Sequence, residues 1–320
     1  MEKLRIGLAA VLAVLLISCP ALAVDSLETY LKAGSDLSAK GDDNGALAEY
    51  QNALRLDADN LIAVRNIGRI YSQLDDQKQA RVFLERAFKM NPIDAQVCNN
   101  LGAVFSNTGN SGDAISYFEK AVALDSTNEL YLTNLGQEYT KVGRIGLALP
   151  LLRTARALNR RNAIIPYSLG NCFAASQSYD SAEFYYRLSA ASGGRPAELY
   201  YRLGTVQNRL GKTLQATESF EEALARRPDY QVCRQALAML YLADKQFSAA
   251  AEQFEVLATA DSSFFPAWIG LGTALALDGR AEDSDRILKH LFAIDSTLGF
   301  KMLEVLSQQQ LDPDPTKDEP

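Results

Sequence analysis

Three asparagines recur at a fixed spacing of 34 residues: Asn66, Asn100 and Asn134. An amide side chain offers a hydrogen-bond donor and an acceptor together, which are the two groups that a peptide unit can bind. A row of such amides at a constant interval indicates a surface that presents the same donor and acceptor pair at regular points. Residues near this row complete the predicted peptide-binding surface: Arg65, Arg69, Asn99, Gln137, Tyr167, Asn171, Tyr201 and Asn208.

Other residues that carry chemistry are few and scattered. The chain has one histidine, His290, and it has no glycine-rich phosphate loop, zinc-type Cys/His spacing or nucleophile elbow. We therefore predict no catalytic residues, no metal site and no cofactor, and we interpret His290 as a surface residue. Cys98, Cys172 and Cys233 lie too far apart along the repeats for disulfides, so we predict buried thiols.

The charges have an uneven distribution. Arg153, Arg156, Arg160 and Arg161 form a basic cluster, and the spacing of the first three places them along one helix face. A solvated outer face is the simpler interpretation, and an anion-binding site is the alternative. The whole chain has 32 Lys and Arg against 39 Asp and Glu, a net charge of −7, which argues against a general nucleic-acid-binding protein.

The interval of the asparagines continues from residue 27 to residue 298, which makes eight units of 34 residues without a gap. Position 8 of the unit is glycine in seven units, position 20 is alanine in seven, and position 24 is always bulky. Small and bulky residues at this spacing predict two closely packed helices per unit. The units are 27–60, 61–94, 95–128, 129–162, 163–196, 197–230, 231–264 and 265–298.

The pattern resembles the tetratricopeptide repeat family. The resemblance implies an all-α, right-handed superhelical solenoid of eight helix pairs, with the first helices lining the concave face that carries the asparagines. The row itself is similar to the asparagine ladder in the repeat region of O-linked N-acetylglucosamine transferase, whose amides hold the backbone of an extended peptide. The resemblance implies the same role for the row, although the transferase's catalytic domain has no counterpart here. The alternative is that these asparagines are a common family choice without a ligand. The third unit shows the signature residues best: Leu101, Gly102, Phe105, Ala114, Phe118 and Ala121.

The segments on either side of the repeats differ from them. Residues 299–311 continue the helical pattern and are predicted to form a capping helix, because the last repeat of a solenoid needs a cover for its apolar face. Residues 312–320 contain three prolines and have a net charge of −3, so they are predicted to form a disordered acidic tail.

The N-terminus has the parts of an export signal. Residues 1–23 contain a basic start, an apolar run over 6–17 and a small-residue cleavage site at 21–23. We expect a periplasmic or secreted protein whose mature chain begins at Val24. The apolar run is too short to span a membrane. In the alternative interpretation, the sequence around Cys19 is a bacterial lipobox and Cys19 is lipidated.

These observations predict an exported protein–protein interaction module, not an enzyme, that binds an extended peptide or partner segment in the concave groove. The alternative is a lipid-anchored envelope-assembly scaffold that binds folded partners on its convex face. We expect no nucleic-acid partner and no membrane span. The groove of the last two repeats is more apolar and is predicted to accept a hydrophobic partner segment, the capping helix or a second copy of the chain, through Val232, Met239, Leu242, Ile269 and Leu277.

Overall fold

The computed structural model describes residues 26–194 and 196–310, and all regular secondary structure in these residues is α-helical. No helix in this part of the chain has the length and apolar character of a transmembrane segment. In chain order the helices are α1 (Leu27–Ala39), α2 (Asp43–Leu56), α3 (Leu61–Gln73), α4 (Gln77–Met90), α5 (Ala95–Asn107), α6 (Ser111–Leu124), α7 (Glu129–Lys141), α8 (Ile145–Leu158), α9 (Ile164–Ala175), α10 (Tyr179–Ala191), α11 (Ala197–Arg209), α12 (Thr213–Arg226), α13 (Gln231–Ala243), α14 (Phe247–Ala260), α15 (Phe265–Leu277), α16 (Ala281–Ile294) and α17 (Ser296–Gln310).

The helices alternate between the first and the second helix of each repeat, and neighbours in sequence pack as antiparallel pairs. The first helices α1, α3, α5 and α7 begin at Leu27, Leu61, Ala95 and Glu129, which keeps the 34-residue interval. The predicted all-α fold of paired helices is therefore confirmed.

The described residues belong to two compact units, one that ends at Glu138 and one that begins at Tyr139. In the first unit, the first helices α3 and α5 contact each other. In the second unit, α11 contacts α13, and α13 contacts α15. Within each unit the first helices therefore lie side by side. We call the face formed by their positions 2, 5, 6, 9, 12 and 13 the first-helix surface.

The absence of a side chain at position 8 lets the two helices of a repeat approach closely. A Cβ atom on Gly102 would lie 2.6 Å from the ring of Phe118, at position 24. In another repeat, a Cβ atom on Gly170 would lie 2.5 Å from the ring of Tyr186. Both distances are far below van der Waals contact, so a bulky residue at position 24 requires glycine at position 8.

The seventh repeat meets this requirement in a different way. Its position 8 is Ala238, which is fully buried. The ring of Phe254, at position 24, lies instead over Gly270 in the next first helix, where a Cβ atom would be 2.6 Å from the ring atom Cζ. The methyl group of Ala238 and the missing side chain of Gly270 therefore compensate for each other.

The second unit ends in helix α17, which starts three residues before the predicted capping helix, at Ser296. Met302 of this helix is 1% exposed and packs in a cluster with Ile269 and Leu291. The predicted signal at 1–23, Cys19 within it, and the predicted tail at 312–320 lie outside the described residues.

The three cysteines of the repeats are buried and form no disulfides, as predicted. Burial raises the pKa of the thiols of Cys98 and Cys172, and it raises the pKa of Cys233 to about 12. Because the thiolate is the reactive form, these groups are chemically inert in the folded protein.

The substitution Gly102→Ala tests the packing of position 8. We expect it to lower the free energy of unfolding by about 1–3 kcal/mol, because the added methyl group overpacks against Phe118. Gly146→Ala is the matched control, since a Cβ atom on Gly146 meets no atom within 4 Å. That substitution should add roughly 0.5–1 kcal/mol through helix propensity. Urea denaturation followed by circular dichroism measures both, and equal stabilities for the two variants would contradict the packing argument.

Candidate functional site

The three asparagines at position 6 make different hydrogen bonds. The Nδ2 group of Asn66 donates to the carbonyl oxygen of Ile62 in its own helix, at 2.9 Å. That of Asn134 donates to Oδ1 of Asn99, at 2.8 Å. The Nδ2 group of Asn100 is buried and has no acceptor. A buried donor without a partner is costly, so Asn100 is the member of the row best prepared to bind a ligand's acceptor.

The bond between Asn99 and Asn134 joins helix α5 to helix α7. Asn99 is 5% exposed, so its Oδ1 depends on Asn134 for a donor. Replacement of Asn134 would leave this buried oxygen unsatisfied and would lower stability. Asn134 therefore supports the fold whether or not it also contacts a ligand.

Arg65 and Arg69 lie one turn apart on α3 but have different partners. Nη1 of Arg65 donates to Oδ2 of Asp94, at 2.9 Å, and the other oxygen of that carboxylate caps the N-terminus of α5. The charge of Arg65 is therefore neutralised within the chain. Arg69 donates to the hydroxyl of Ser38, at 2.6 Å, and to the side-chain oxygen of Gln73. No carboxylate of the described residues lies within ion-pair distance of Arg69, so its positive charge is available to a ligand.

Gln137 is half-buried on α7, beside the buried Glu138. A carboxylate oxygen of Glu138 accepts a hydrogen bond from the hydroxyl of Ser106 on α5. The sequence analysis missed this pair. The signal for it is a serine at position 12 of one repeat and a glutamate at position 10 of the next, both on adjacent first helices.

In the second unit, a network of polar contacts connects residues of the first-helix surface. Nε of Arg202 donates to the hydroxyl of Tyr167, at 3.0 Å, and Nη2 of Arg202 lies 2.9 Å from Oε1 of Glu198. Glu198 also accepts a hydrogen bond from Tyr230, whose ring lies 3.4 Å from the guanidinium carbon of Arg227. Burial and the bond to Glu198 raise the pKa of Tyr230. This network was missed, although Glu198 and Arg202 have the i, i+4 spacing of a helical ion pair.

The remaining predicted residues of the second unit have separate surroundings. Oδ1 of Asn171 accepts a hydrogen bond from the hydroxyl of Tyr186, at 2.8 Å. The ring of Tyr201 packs against that of Tyr230, with 5.2 Å between centroids. Asn208 is exposed. Tyr167 and Tyr201 thus present rings whose positions are fixed by neighbours, while Asn171 retains its amide donors.

The apolar residues predicted to make the groove of the last two repeats do not all reach the surface. Val232 and Met239 are each 55% exposed. Leu242 and Ile269 are buried, and Leu277 is half-buried. The helix that carries Ile269, α15, is covered by neighbours on most of its surface, so its apolar residues serve the core.

Comparison with known families identifies the chain. Two family models, both described as tetratricopeptide repeat, match it; one covers residues 66–94, 95–128 and 197–230, and the other covers 133–196. The chain belongs to the tetratricopeptide repeat family. No curated protein sequence matches it significantly.

Solved structures share this fold at low sequence identity. The Cut9-Hcn1 hetero-tetramer of the APC/C is 18% identical over 78% of this chain, with a TM-score of 0.67, and the matched part is 49% of that chain. PilW, described as a widely conserved type IV pilus biogenesis factor, is 21% identical over 66% of this chain and 98% of its own, with a TM-score of 0.60. A tetratricopeptide repeat protein from Parabacteroides merdae ATCC 43184 is 15% identical over 77% of this chain and 97% of its own, with a TM-score of 0.57. The chain thus spans about half the length of the Cut9-Hcn1 chain that it matches.

Tetratricopeptide repeat proteins are generally non-enzymatic scaffolds that bind proteins or peptides. In the described part of this chain, no group of three His, Cys, Asp or Glu residues could hold a metal ion. Fold alone does not name a partner, so the partner has to be inferred from the side chains of the surface.

The sixth repeat departs from the family at position 11, where Gln207 replaces an aromatic residue. In the fifth repeat, Phe173 at this position stacks on Tyr185 at position 23, with 5.3 Å between centroids. In the sixth repeat, the same two positions hold a hydrogen bond of 2.6 Å from the hydroxyl of Ser219 to Oε1 of Gln207. An amide and a hydroxyl have thus replaced a ring stack.

This substitution accompanies a buried carboxylate, Glu183. Its side chain is 7% exposed; Oε2 lies 2.5 Å from Nζ of Lys212, and Oε1 lies 3.4 Å from Nε2 of Gln207. Burial raises the pKa of Glu183, but the Lys212 and Gln207 contacts outweigh it, and the resulting pKa lies below the usual value. Glu183 is therefore a fixed anion that stabilises the packing of α10 against the start of α12.

The substitution Lys212→Met tests this ion pair through its pH dependence. Because its pKa is lowered on folding, Glu183 contributes stability above its unfolded pKa and loses it as the pH falls through the folded value. Without Lys212 the buried carboxylate would keep only the more distant cation Arg187, whose Nη1 lies 3.9 Å from Oε1. We therefore expect a loss of about 1–3 kcal/mol at pH 7. The difference from the wild type should shrink as the pH falls through the lowered pKa of Glu183, where the carboxylate becomes neutral. Chemical denaturation at several pH values measures it, with the exposed Lys289→Met as control; a difference that does not change with pH would contradict the role of Glu183.

Proposed function

We propose that this protein is an exported interaction module that binds an extended peptide with acidic side chains on the first-helix surface of its first unit. The observation that carries the proposal is Arg69, a half-buried cation whose partners, Ser38 and Gln73, are both neutral. A ligand carboxylate would form with it the charge-assisted, two-pronged hydrogen bond that guanidinium groups favour.

The asparagines supply the contact with the peptide backbone. Asn100 offers an unsatisfied amide donor. The Oδ1 atoms of Asn66 and Asn134 remain as acceptors, because the bonds of these side chains use their Nδ2 groups. Donors and acceptors on successive first helices match the alternating N–H and C=O groups of an extended chain.

The binding free energies show why the proposed site needs both the asparagines and Arg69. Each amide bond contributes a net free energy of about 0.5–1.5 kcal/mol. Micromolar affinity requires about 8 kcal/mol, so three asparagines do not suffice. The charge of Arg69 and apolar contacts have to supply the rest. Because the asparagines contact only backbone, selectivity has to come from Arg69.

Fluorescence polarisation with labelled decapeptides tests this proposal. We expect peptides with alternating Glu residues to bind at micromolar concentration and their Lys counterparts not to bind. Asn100→Ala should weaken binding about 2–10-fold with little change in stability. Arg69→Glu should abolish the preference for Glu, because it reverses the charge that the ligand carboxylates are proposed to contact.

The matched control is Arg55→Glu, which makes the same charge change at an exposed position on the second helix α2. It should leave peptide binding unchanged. Equal binding of acidic and basic peptides, or an equal effect of the two arginine variants, would contradict the proposed site. A partner captured by the wild type and by Arg69→Glu alike would favour binding elsewhere, as in the envelope-scaffold alternative.

Export is the second part of the proposal, and the composition of residues 1–23 supports it. We expect mass spectrometry of the protein purified from an envelope fraction to find Val24 as the first residue. A chain that begins at a diacylated Cys19 would replace the free module with the lipid-anchored scaffold. A chain that retains Met1 would contradict export in either form.

A further inference from the structure

The basic residues of the second unit are segregated in one stretch of sequence. Residues 139–179 contain six Lys or Arg and no Asp or Glu, while the whole chain has a net charge of −7. The rest of the chain therefore has a net charge of −7 − 6 = −13. Residues 180–320, which follow this stretch, contain 14 Lys or Arg against 21 Asp or Glu, so the two stretches have opposite net charge.

Helix α8 carries the positive part. Arg153 is exposed on the helix, and Arg160, predicted to share its face, is exposed in the turn after the helix ends at Leu158. Nη1 of the half-buried Arg156 has no hydrogen-bond acceptor. None of the three has a carboxylate partner among the described residues. Leu147 and Leu158, on the same helix, are 51% and 48% exposed. Arginine and apolar residues without Lys, Asp or Glu are the composition typical of a protein interface.

Helix α12 carries exposed acidic residues, one of them at the repeat position of Arg153. Glu218 and Glu221 occupy positions 22 and 25 of the sixth repeat, and Arg153 occupies position 25 of the fourth. Both glutamates are exposed. Arg226, at the end of α12, pairs with Glu222 of the same helix. Leu214, one turn before Glu218, is 75% exposed. At position 25, helices α8 and α12 therefore present charges of opposite sign.

Helix α10 lies between them and carries both apolar and charged residues at its centre, with Phe184 between Glu183 and Arg187 in the sequence. Its Ser189 donates to the carbonyl oxygen of Ala163, in the connection after α8, at 2.7 Å, and its Glu183 pairs with Lys212, before α12. Phe184, at position 22, is 61% exposed. Beside its ring is a shallow depression of about 540 Å³ whose lining includes Leu188 and Ala191 of the same helix.

We propose that this face, formed by α8, α10 and α12, binds a second copy of the chain about a two-fold axis parallel to α10. A rotation about that axis places α8 of each copy over α12 of the other and keeps each residue at the same height along the helices. Arg153 then faces Glu218 and Glu221 of the second copy, twice by symmetry. Phe184 meets Phe184 of the second copy at the axis, beside the depression that each α10 provides.

The positions of the charges on α8 and α12 favour a two-fold axis parallel to α10 over the other ways of covering this face. A two-fold axis across the helices would place α8 on α8 and α12 on α12, so that like charges would face each other. An anionic membrane surface would attract α8 but repel the glutamates of α12 on the same face. Helix α10 adds no net charge at the centre, since Asp180 and Glu183 are balanced by Arg187 and Lys212.

The size of the face predicts a weak dimer. Three helices of about 14 residues, each about 21 Å long and about 10 Å apart, cover roughly 600 Å² per copy. Stable interfaces bury about 800 Å² per partner. We therefore expect a dissociation constant in the micromolar range that rises with salt, because exposed ion pairs are screened over about 8 Å at physiological ionic strength.

Sedimentation equilibrium of the full mature chain tests the proposal, with the protein itself as the probe. We expect a monomer–dimer equilibrium at low salt that shifts to monomer at 1 M salt. Phe184→Ala should raise the dissociation constant about tenfold or more without loss of helicity, because the side chain is exposed. A wild type that stays monomeric at about 100 μM and low salt would overturn the proposal.

A charge exchange tests the arrangement itself. The variant Arg153→Glu/Arg160→Glu places acidic residues opposite Glu218 and Glu221, and the variant Glu218→Arg/Glu221→Arg places basic residues opposite Arg153, so each alone should be monomeric. A mixture of the two should form a heterodimer, since both crossed contacts then become attractive. The control Lys78→Glu/Lys289→Glu makes the same charge change elsewhere and should dimerise like the wild type. Failure of the mixture to associate, or a dimer lost through changes at Val232 and Met239 instead, would contradict this face.

Discussion

The close contact between position 8 and position 24 sets the geometry on which the rest of each repeat depends. Where Gly102 has no side chain, the ring of Phe118 fills the space, and the two helix axes approach. This contact uses only one face of the first helix. The opposite face takes no part in this contact and carries polar and aromatic residues instead: Asn99 and Asn100 form one part of it, and Tyr167 forms another in the second unit. A constraint on two positions thus creates the surface on which binding can evolve.

The 34-residue periodicity predicted the fold because the same packing pattern recurs along the chain. Glycine at position 8 and a bulky residue at position 24 were sufficient to place the helix pairs. The exception at Ala238 could not be interpreted from sequence, because the compensating change lies outside its own repeat. Gly270 occupies position 6, where three other repeats have asparagine. Only the position of the Phe254 ring shows that a side chain there would clash. A comparison of equivalent positions in different repeats does not detect a residue change at one position that compensates for a change at another.

The candidate site was predicted only in part, for a related reason. The sequence located the first-helix surface but not the hydrogen bonds made on it. Arg65 and Arg69 have the same side chain and lie one turn apart, yet Arg65 meets Asp94, the last residue of its own repeat, and Arg69 meets Ser38 of the preceding repeat. The partner of each arginine therefore depends on a side chain about 30 residues away in the sequence. The asparagines show the same dependence, since Asn134 has a partner in Asn99 and Asn100 has none.

The hydrogen bonds between successive first helices also bear on how the array unfolds. In a linear repeat protein, stability is the sum of the intrinsic term of each repeat and the coupling to its nearest neighbours. In the first unit, the pairs Arg69 with Ser38 and Asn134 with Asn99 add to the coupling terms alone, because each is lost when either repeat opens. Strong coupling relative to intrinsic stability makes fraying of single repeats rare and favours the loss of several together. Amide protons in neighbouring repeats of this unit should then exchange with solvent as one cooperative block.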